Sequence, residues 1–326
     1  MFETISVIIP AKSDSKDLKI LKYIERIGYP KDKIEIILAV GKQPSVQRNE
    51  AVKIAKGDIL YFFNSDAQVE PDIFKKAVDI INSGVDIAGT GGPDLTPPDN
   101  SRIQHLFGYA MSSYFAHWKM RARYCPVGRQ RVSDEKELLL SNMAIRKDIF
   151  LKESCFNEKL YPNEENELIN RICKAGYKFV YSPELKIYRD RRKTLPEFAK
   201  QFYRYGQGRM EQIFIESLYK NIWFFLPLFS LICVLALPAI IKNHWVSFLP
   251  LFAYLILGIA DSAFLSFKNK KNLILFLPTI YMIMHLSYSA GMVSSLFKNI
   301  LRKNKNVKPT RDTKIIFIKD LAAKSI

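Results

Sequence analysis

Short apolar runs and helically spaced apolar residues alternate along the first part of the chain. The runs predict four strands, at Ile5–Ile9, Ile34–Val40, Ile59–Phe63 and Asp86–Thr90. Apolar residues recur at helical spacing between them, in Leu18–Ile27, Val46–Ala55 and Pro71–Ile81. Strands and helices that alternate in this way predict an α/β fold with a mostly parallel, doubly wound sheet.

After Gly91 the regular alternation ends in a loop rich in glycine and proline. Further helices are predicted at Ile103–Met120, Glu164–Lys174 and Leu195–Leu218, and further strands at Leu138–Ile145, Phe179–Tyr181 and Leu185–Tyr188. The helix that begins at Glu164 has one apolar face, and Gly176 follows its last turn as a C-cap glycine would.

The region from Ile222 to Phe297 is almost wholly apolar apart from two short polar breaks. Ile222–Ile241 and Trp245–Phe267 are each long enough to cross a hydrocarbon core of about 30 Å, and Leu273–Phe297 is a third candidate. We therefore predict a first domain over residues 1–220, a membrane region over 221–300 and a basic tail over 301–326.

The third candidate span makes the topology difficult. If the first domain is cytoplasmic, two crossings return the basic residues Lys268, Lys270 and Lys271 to the cytoplasm, as the positive-inside rule expects. A third crossing would carry the basic tail outside. We therefore favour a re-entrant or interfacial third segment, which contains Pro278 and His285, and the alternative is a departure from the rule.

The formal net charge of +17 is concentrated beside the apolar region. Directly after that region come Lys298, Arg302, Lys303, Lys305 and Lys308. Such flanks are typical of cytoplasmic membrane edges, so we expect membrane lipids as partners and no nucleic acid. The cysteines, which show no metal-site spacing, indicate a reducing compartment, and the N-terminus lacks the pattern of a signal peptide. We expect a multi-pass cell-membrane protein whose first domain is cytoplasmic.

Four acidic residues could carry function. Asp66 follows the buried strand Ile59–Phe63, and the carboxyl ends of such strands are where α/β sheets place their ligands. Glu164 and Glu165 open a helix, where the helix dipole alone would favour them. Asn64-Ser65-Asp66 is also a common composition for an ordinary turn. Asp261 lies inside the second predicted span, where a carboxylate is costly, and its candidate contacts are His285 or a lipid headgroup.

Five short motifs occur in a characteristic order. They are Ser6-Val7-Ile8-Ile9-Pro10-Ala11, Gln47-Arg48-Asn49-Glu50-Ala51, Phe63-Asn64-Ser65-Asp66, Asn163-Glu164-Glu165-Asn166-Glu167-Leu168 and Gln201-Phe202-Tyr203-Arg204-Tyr205. In this order, and followed by apolar spans, they resemble the family 2 glycosyltransferases, inverting enzymes of GT-A fold. The membrane-attached branch that resembles succinoglycan-synthesis enzymes is the most similar.

The resemblance implies a GT-A catalytic domain and a role for each motif. Asp66 would bind Mg²⁺ or Mn²⁺, as the family's Asp-x-Asp site does, and the donor nucleotide sugar would be bound by Pro10, Ala11, Arg48, Asn49, Asn64, Ser65 and Asp66. Glu165 would be the catalytic base, with Glu164 as the second candidate. Gln201 and Arg204 lie one helical turn apart and would contact the acceptor or the diphosphate.

Some positions depart from the family pattern. Asn64 replaces the first aspartate of Asp-x-Asp, Val40 is followed by no aspartate, Arg189 replaces a histidine ligand, and Tyr205 replaces a tryptophan. These changes leave open an unusual donor, weak metal dependence or lost activity.

The expected function is transfer of a sugar from a nucleotide sugar to a hydroxyl of a lipid-linked or membrane glycan precursor. A hydroxyl nucleophile needs a base, which the paired glutamates offer. One alternative is a polyprenyl-phosphate sugar synthase, whose acceptor is already an anion. The other is a non-catalytic membrane subunit that retains the fold.

Overall fold

The computed structural model describes residues 3–12, 18–216, 224–229, 232, 248–273, 275–301 and 313–318. The chain divides into two compact units. The first comprises Met1–Pro98, Ala122–Asp190 and Val307–Ile326, and the second comprises Asp99–Arg121 and Arg191–Asn306. The domain boundary near residue 220 stays a prediction. Most of the predicted span Ile222–Ile241 and of the basic tail lies outside the described residues.

The first unit contains eleven strands and five helices among the residues that the structure describes. The strands are β1 (Ile5–Ala11), β2 (Ile34–Val40), β3 (Ile59–Phe63), β4 (Gln68–Val69), β5 (Ile87–Gly91), β6 (Asp94–Leu95), β7 (Arg131–Ser133), β8 (Asn142–Arg146), β9 (Lys178–Tyr181), β10 (Ile187–Tyr188) and β11 (Lys314–Phe317). Its helices are α1 (Lys19–Ile24), α2 (Pro44–Ile54), α3 (Ile73–Ile81), α6 (Lys147–Lys152) and α7 (Glu164–Lys174). The second unit contains α4 (Arg102–Met111), α5 (Tyr114–His117), α8 (Leu195–Ile215), α9 (Leu249–Asn269) and α10 (Leu277–Leu301).

An eight-stranded sheet with the order β11-β2-β1-β3-β8-β5-β9-β7 forms the centre of the first unit. Strand β1 pairs in parallel with β2 and β3, and β5 pairs in parallel with β9. Strand β8 lies between β3 and β5 and is antiparallel to both. A second, three-stranded sheet has the order β4-β10-β6.

The α/β class is confirmed, but the large sheet is mixed rather than mostly parallel. The expected parallel order holds for β1, β2 and β3, which are joined through helices. Strand β8 is inserted between β3 and β5 from a distant part of the chain, and the short antiparallel strands β7 and β11 form the edges. Local periodicity contains no information about such non-local pairings.

Two apolar clusters cover the two faces of the sheet. Strand β3 contributes to both, because Tyr61 and Phe63 face one cluster and Leu60 and Phe62 face the other. All five residues of β3 are buried, as its continuous apolar sequence predicts. The Tyr61 hydroxyl satisfies its polar end by donating to Asn142 Oδ1 at 3.0 Å.

Several predicted elements are shorter than expected. The helix predicted over Ile103–Met120 ends at Met111 and is followed by the separate turn of helix α5. The strand predicted over Leu138–Ile145 begins only at Asn142. Helix α7 has the predicted bounds, Glu164–Lys174.

Helices α8 and α10 cross at two glycines in the second unit. A Cβ added to Gly206 would lie 2.0 Å from the Tyr288 carbonyl oxygen, and one added to Gly291 would lie 2.0 Å from the Tyr203 carbonyl oxygen. Only residues without a side chain permit backbones to approach this closely. Helix α10 is one continuous helix over Leu277–Leu301, and how the third segment meets a membrane stays a prediction. Pro278 is accommodated in its first turn, where no amide donor is required.

Asp261 of α9 holds helix α5 within the second unit. Its carboxylate accepts hydrogen bonds from Ser113 Oγ at 2.7 Å and from the Tyr281 hydroxyl at 2.6 Å. His285 instead contacts Tyr254 at 2.9 Å, so the expected contact between Asp261 and His285 is not formed. A carboxylate in an apolar helix is tolerated here because hydroxyl donors satisfy it.

Candidate active site

The carboxyl ends of β1, β2 and β3 form one edge of the large sheet, because these strands are parallel. At this edge Ala11 lies opposite Val40, and Pro10 precedes Ala11 in the same strand. The buried Gln47 side chain donates from Nε2 to the carbonyl oxygens of Ala11 at 2.8 Å and Ala39 at 2.5 Å. Gln47 therefore fixes the ends of β1 and β2 where Pro10 and Ala11 were predicted to bind the donor.

Asn64, Ser65 and Asp66 follow β3 at the same edge and form a turn. The Asn64 carbonyl accepts from the Ala67 amide at 3.2 Å, and the Ser65 carbonyl accepts from the Ile20 amide at 3.2 Å. All three side chains are partly exposed. Within the described residues the Asp66 carboxylate and the Asn64 amide have no hydrogen bond or ion pair, so both are available to a ligand.

The donor set at this turn fits a hard cation that binds few protein ligands. In the part of the chain that the structure describes, no group of three or more His, Cys, Asp or Glu side chains could enclose a metal ion. Asp66 supplies a carboxylate and Asn64 an amide oxygen. Mg²⁺ in particular is commonly held by one or two carboxylates, with substrate phosphates and water completing its coordination.

Helix α7 begins with a buried ion pair. Asn163 precedes the helix in the left-handed conformation, with φ of 86°. Arg48 Nη1 on α2 lies 2.9 Å from Glu164 Oε1, and the two side chains are only 6% and 3% exposed. Burial raises the pKa of Glu164 to about 7, and the adjacent Arg48 acts in the opposite direction.

Glu165, the next residue, has a different environment. It is 8% exposed, and its side chain has no hydrogen bond or ion pair among the residues for which contacts are described. Of the two glutamates, Glu165 is therefore the one whose oxygens are free to accept a proton.

Side chains near the start of α2 tie that helix to the loop before α7. Gln43 Nε2 donates to the Glu158 carbonyl at 2.7 Å, and Ser45 Oγ donates to the Leu160 carbonyl at 2.7 Å. Asn49 binds the Phe156 backbone through both ends of its amide, at 2.9 and 3.1 Å. These bonds fix the entry to α7, and they occupy the Asn49 amide that was predicted to bind the donor.

Two further polar contacts were not predicted. Arg123 Nη2 donates to Asn166 Oδ1 of α7 at 2.7 Å. Arg189 Nε lies 3.0 Å from Asp94 Oδ2, and the Asp94 side chain is fully buried. In the sequence, Arg189 was notable only because it departs from the family pattern. No local sequence pattern identified Asp94 or Arg123 as candidate site residues.

Gln201 and Arg204 lie on α8 in the second unit. Gln201 accepts from Arg192 Nε at 2.9 Å and donates to the Tyr205 hydroxyl at 2.8 Å. Arg204 is exposed, and its guanidinium has no hydrogen bond or ion pair within the described ranges. Gln201 is thus fixed by its neighbours, whereas Arg204 keeps all its donors available.

Known proteins resemble this chain along most of its length. A curated dolichyl N-acetyl-alpha-D-glucosaminyl phosphate 3-beta-D-2,3-diacetamido-2,3-dideoxy-beta-D-glucuronosyltransferase from Methanococcus voltae is 21% identical over 299 residues, which is 90% of this chain and 87% of the relative. The mannosyltransferase PcManGT from Pyrobaculum calidifontis, solved with GDP-Man and Mn²⁺, superposes with a TM-score of 0.54 at 16% identity, over 91% of this chain and 88% of that one. TarS from S. aureus gives a TM-score of 0.44 at 14% identity, over 69% of this chain and 43% of its own.

The family comparison covers most of the candidate residues. The likeness to the mannosyltransferase shows a shared GT-A-like fold. The model of the family described as "Glycosyl transferase family group 2" matches residues 59–293, which begin at β3 and include Asp66, Glu165 and Arg204. Because that match extends over more than two thirds of the chain, the protein belongs to glycosyl transferase family group 2 and is a glycosyltransferase.

Proposed function

We propose that the protein is a membrane-anchored inverting glycosyltransferase that moves a sugar from a nucleotide sugar to a hydroxyl group of a lipid-linked saccharide. The observation that carries this proposal is the contrast between two neighbouring glutamates. Glu164 is paired with the buried Arg48, whereas Glu165 has no partner among the described residues. A free carboxylate at this position suits a reaction that must remove a proton from its nucleophile.

The need for a catalytic base indicates the chemical class of the acceptor. A lipid phosphate is already an anion and requires no base, whereas a sugar hydroxyl does. The relative from Methanococcus voltae is named for transfer to a dolichyl-linked N-acetylglucosaminyl phosphate, which supports a saccharide on a lipid as the acceptor. A more specific placement in the branch that resembles succinoglycan-synthesis enzymes stays a prediction.

In the proposed reaction the acceptor oxygen attacks the anomeric carbon as the bond from that carbon to the diphosphate oxygen breaks. Glu165 accepts the hydroxyl proton. Asp66, with Asn64 and Ser65 beside it, would hold Mg²⁺ or Mn²⁺, which would offset the charge that develops on the departing diphosphate. Pro10 and Ala11 would line the donor edge, where the buried Gln47 fixes the strand ends.

The contacts support different roles for other predicted site residues. Arg48 and Asn49 would position the start of α7 rather than bind the donor directly, because their polar groups contact Glu164 and Phe156. Glu164 would act through Arg48 and not as the base. On α8, Arg204 would bind the diphosphate or the acceptor, and Gln201 would orient the Tyr205 side chain beside it.

Helices α9 and α10 support membrane association. Both are long and apolar enough to cross a bilayer, and they are the two such helices in the described part of the chain. An enzyme whose acceptor has a long lipid tail must meet that acceptor at the membrane, so an anchor fits the proposed substrate. We propose that the anchor lies in the cell membrane, with the first unit on the cytoplasmic side.

The test is transfer of labelled sugar from a panel of nucleotide sugars, with Mn²⁺, by full-length protein in membranes. We expect alkali-stable transfer onto a lipid-linked saccharide. Glu165→Gln should lower kcat by about 10²- to 10⁴-fold, the usual contribution of a general base. The matched variant Glu164→Gln keeps an acceptor for Arg48 and should lower kcat less than about tenfold, because the proposed base remains.

Two results would contradict the proposal. Transfer of a single sugar to lipid phosphate, with Glu165→Gln fully active, would identify a polyprenyl-phosphate sugar synthase. Absence of both transfer and nucleotide-sugar binding, with no effect of Asp66→Ala on cellular glycans, would identify a non-catalytic subunit.

A further inference from the structure

The last described segment of the chain is a strand of the catalytic sheet. β11 pairs antiparallel with β2, in a register that places Lys314 opposite Val40 and Phe317 opposite Ile37. The Ile318 amide extends the pairing by donating to the Ile36 carbonyl at 3.0 Å. Without β11, strand β2 would be an open edge with unpaired backbone groups.

The side chains of β11 join the core on both faces of the sheet. Ile316 and Ile318 pack against one apolar cluster, and Ile315 packs against the other. A strand that is paired along its length and packed on both faces is an integral part of the first unit. Residues 314–318 therefore lie on the same side of any membrane as the strands that carry Ala11 and Asp66.

Helix α9 has the surface of a membrane-spanning helix. It has 21 residues, about 31 Å at 1.5 Å per residue, which matches a hydrocarbon core of about 30 Å. Large apolar side chains are exposed along it, including Ile256 at 66%, Leu257 at 57% and Phe267 at 88%. Such a surface is stable in lipid and costly in water.

We propose that the chain crosses the membrane an even number of times between Asp190 and β11, so that β11 lies on the same side of the membrane as the strands that carry Ala11 and Asp66. This inference goes beyond the proposed function, because it does not depend on donor, acceptor or base.

The test uses full-length protein in sealed membrane vesicles of known orientation. Single-cysteine variants carry Val85→Cys in the first unit or Lys314→Cys in β11, with Cys125, Cys155, Cys173 and Cys233 replaced by serine. A membrane-impermeant maleimide is added before or after permeabilisation. We expect positions 85 and 314 to react from the same face.

Opposite-face reaction of positions 85 and 314 would show an odd number of crossings and overturn the proposal. This result would contradict the inference independently of whether the protein transfers sugar.

A second measurement keeps the native cysteines and does not depend on labelling. Val40→Cys with Lys314→Cys joins directly opposed positions, and the mismatched control Val40→Cys with Phe317→Cys shifts the second thiol by three residues, about 10 Å. Only the opposed pair is close enough for a disulfide. We expect mild oxidation of intact membranes to link the opposed pair, as read by mass spectrometry of the linked peptides. Linkage of the mismatched pair alone would overturn the assignment of β11 to this sheet edge.

Discussion

Arg48 and Glu164 face each other almost entirely out of water, at 2.9 Å. The desolvation cost of such a pair is large, and removal of one partner typically costs about 3–5 kcal/mol because the other charge is left buried. The Arg48 Nε atom is buried and has no hydrogen bond, so the pair is held by one contact of the guanidinium. We infer that this ion pair mainly fixes the position of the start of α7, beside Glu165, and adds little to the net free energy of unfolding.

The raised pKa of Glu164 predicts a pH-dependent stability. The folded protein holds this proton more tightly than the unfolded chain, whose glutamate has the ordinary value of 4.5. The contribution of the proton to the free energy of unfolding is therefore complete below about pH 4.5 and is lost as the pH rises through about 7. We expect the difference in melting temperature between the wild type and Glu164→Gln, measured in detergent from pH 4.5 to 8, to fall across that interval.

The control for this measurement is Ser45→Ala, which removes a buried hydrogen bond to the loop before α7 but no titratable group, so its stability difference from the wild type should not decline with pH. A difference between the wild type and Glu164→Gln that grows with pH would mean that Arg48 holds the pKa of Glu164 below its usual range.

The turn after β3 predicts how metal affinity responds to charge. Asp66 is its one carboxylate, and Asn64 contributes only a neutral oxygen. We expect Asn64→Asp to tighten binding of Mn²⁺ in the presence of a nucleoside diphosphate by about tenfold, and Asp66→Asn to weaken it at least as much. Thermal stabilisation titrated with Mn²⁺ measures both, and Asp72→Asn serves as the control, because the Asp72 carboxylate contacts Lys76 instead. Equal affinities in all four proteins would place the metal elsewhere.

At the level of single residues the sequence could identify candidates but not their partners. Asp66, Glu164 and Glu165 were recognisable from a strand end and a helix start. The contact that separates the two glutamates joins residues 48 and 164, and Arg189 meets Asp94 across a similar sequence distance. Such pairs are products of the tertiary fold, and no local pattern encodes them.

The crossing of α8 and α10 predicts a specific sensitivity at Gly206. A methyl group added there would meet the Tyr288 carbonyl oxygen at 2.0 Å, so the helices must separate. We expect Gly206→Ala to lower the free energy of unfolding by about 1–3 kcal/mol, the usual cost of overpacking. Gly258→Ala is the matched control, because its Cβ would come no closer than 3.4 Å to Phe115 and 3.8 Å to Tyr281. Equal melting temperatures of the two variants in detergent would contradict the close crossing.

Among the elements, those with a strong local pattern were predicted best. Helix α7 has its predicted bounds because an apolar face and a terminal glycine define it. Strand β8 and the mixed sheet could not be predicted, since the direction of a strand depends on the neighbours it finds. The long helix expected after Ile103 is divided because Ser113 caps α5 by accepting from the Ala116 amide and also donates to Asp261, a residue 148 positions away.

At the scale of the whole molecule, the unpredicted element that most affects the architecture is strand β11. The sequence identified only a basic tail after the apolar region, because a four-residue strand gives a weak signal until it has a partner. Paired with β2, it closes a sheet edge that would otherwise be open to other chains. Strand β11 follows both apolar helices in the sequence and belongs to the first unit. It must therefore lie on the same side of a membrane as the rest of that unit.

A charge placed in β11 should therefore affect the catalytic unit and not only the tail. Ile316 is partly buried against the apolar cluster that includes Ile36 and Leu38 of β2, so Ile316→Asp would place a carboxylate against apolar side chains. We expect this variant to open the β2 edge, lower the melting temperature by several degrees and increase aggregation in detergent, as measured by light scattering. Lys314→Asp is the matched control, because Lys314 is exposed at the start of the same strand. If Ile316→Asp melts and remains soluble as Lys314→Asp does, β11 contributes nothing to the sheet, and the even number of crossings loses its structural basis.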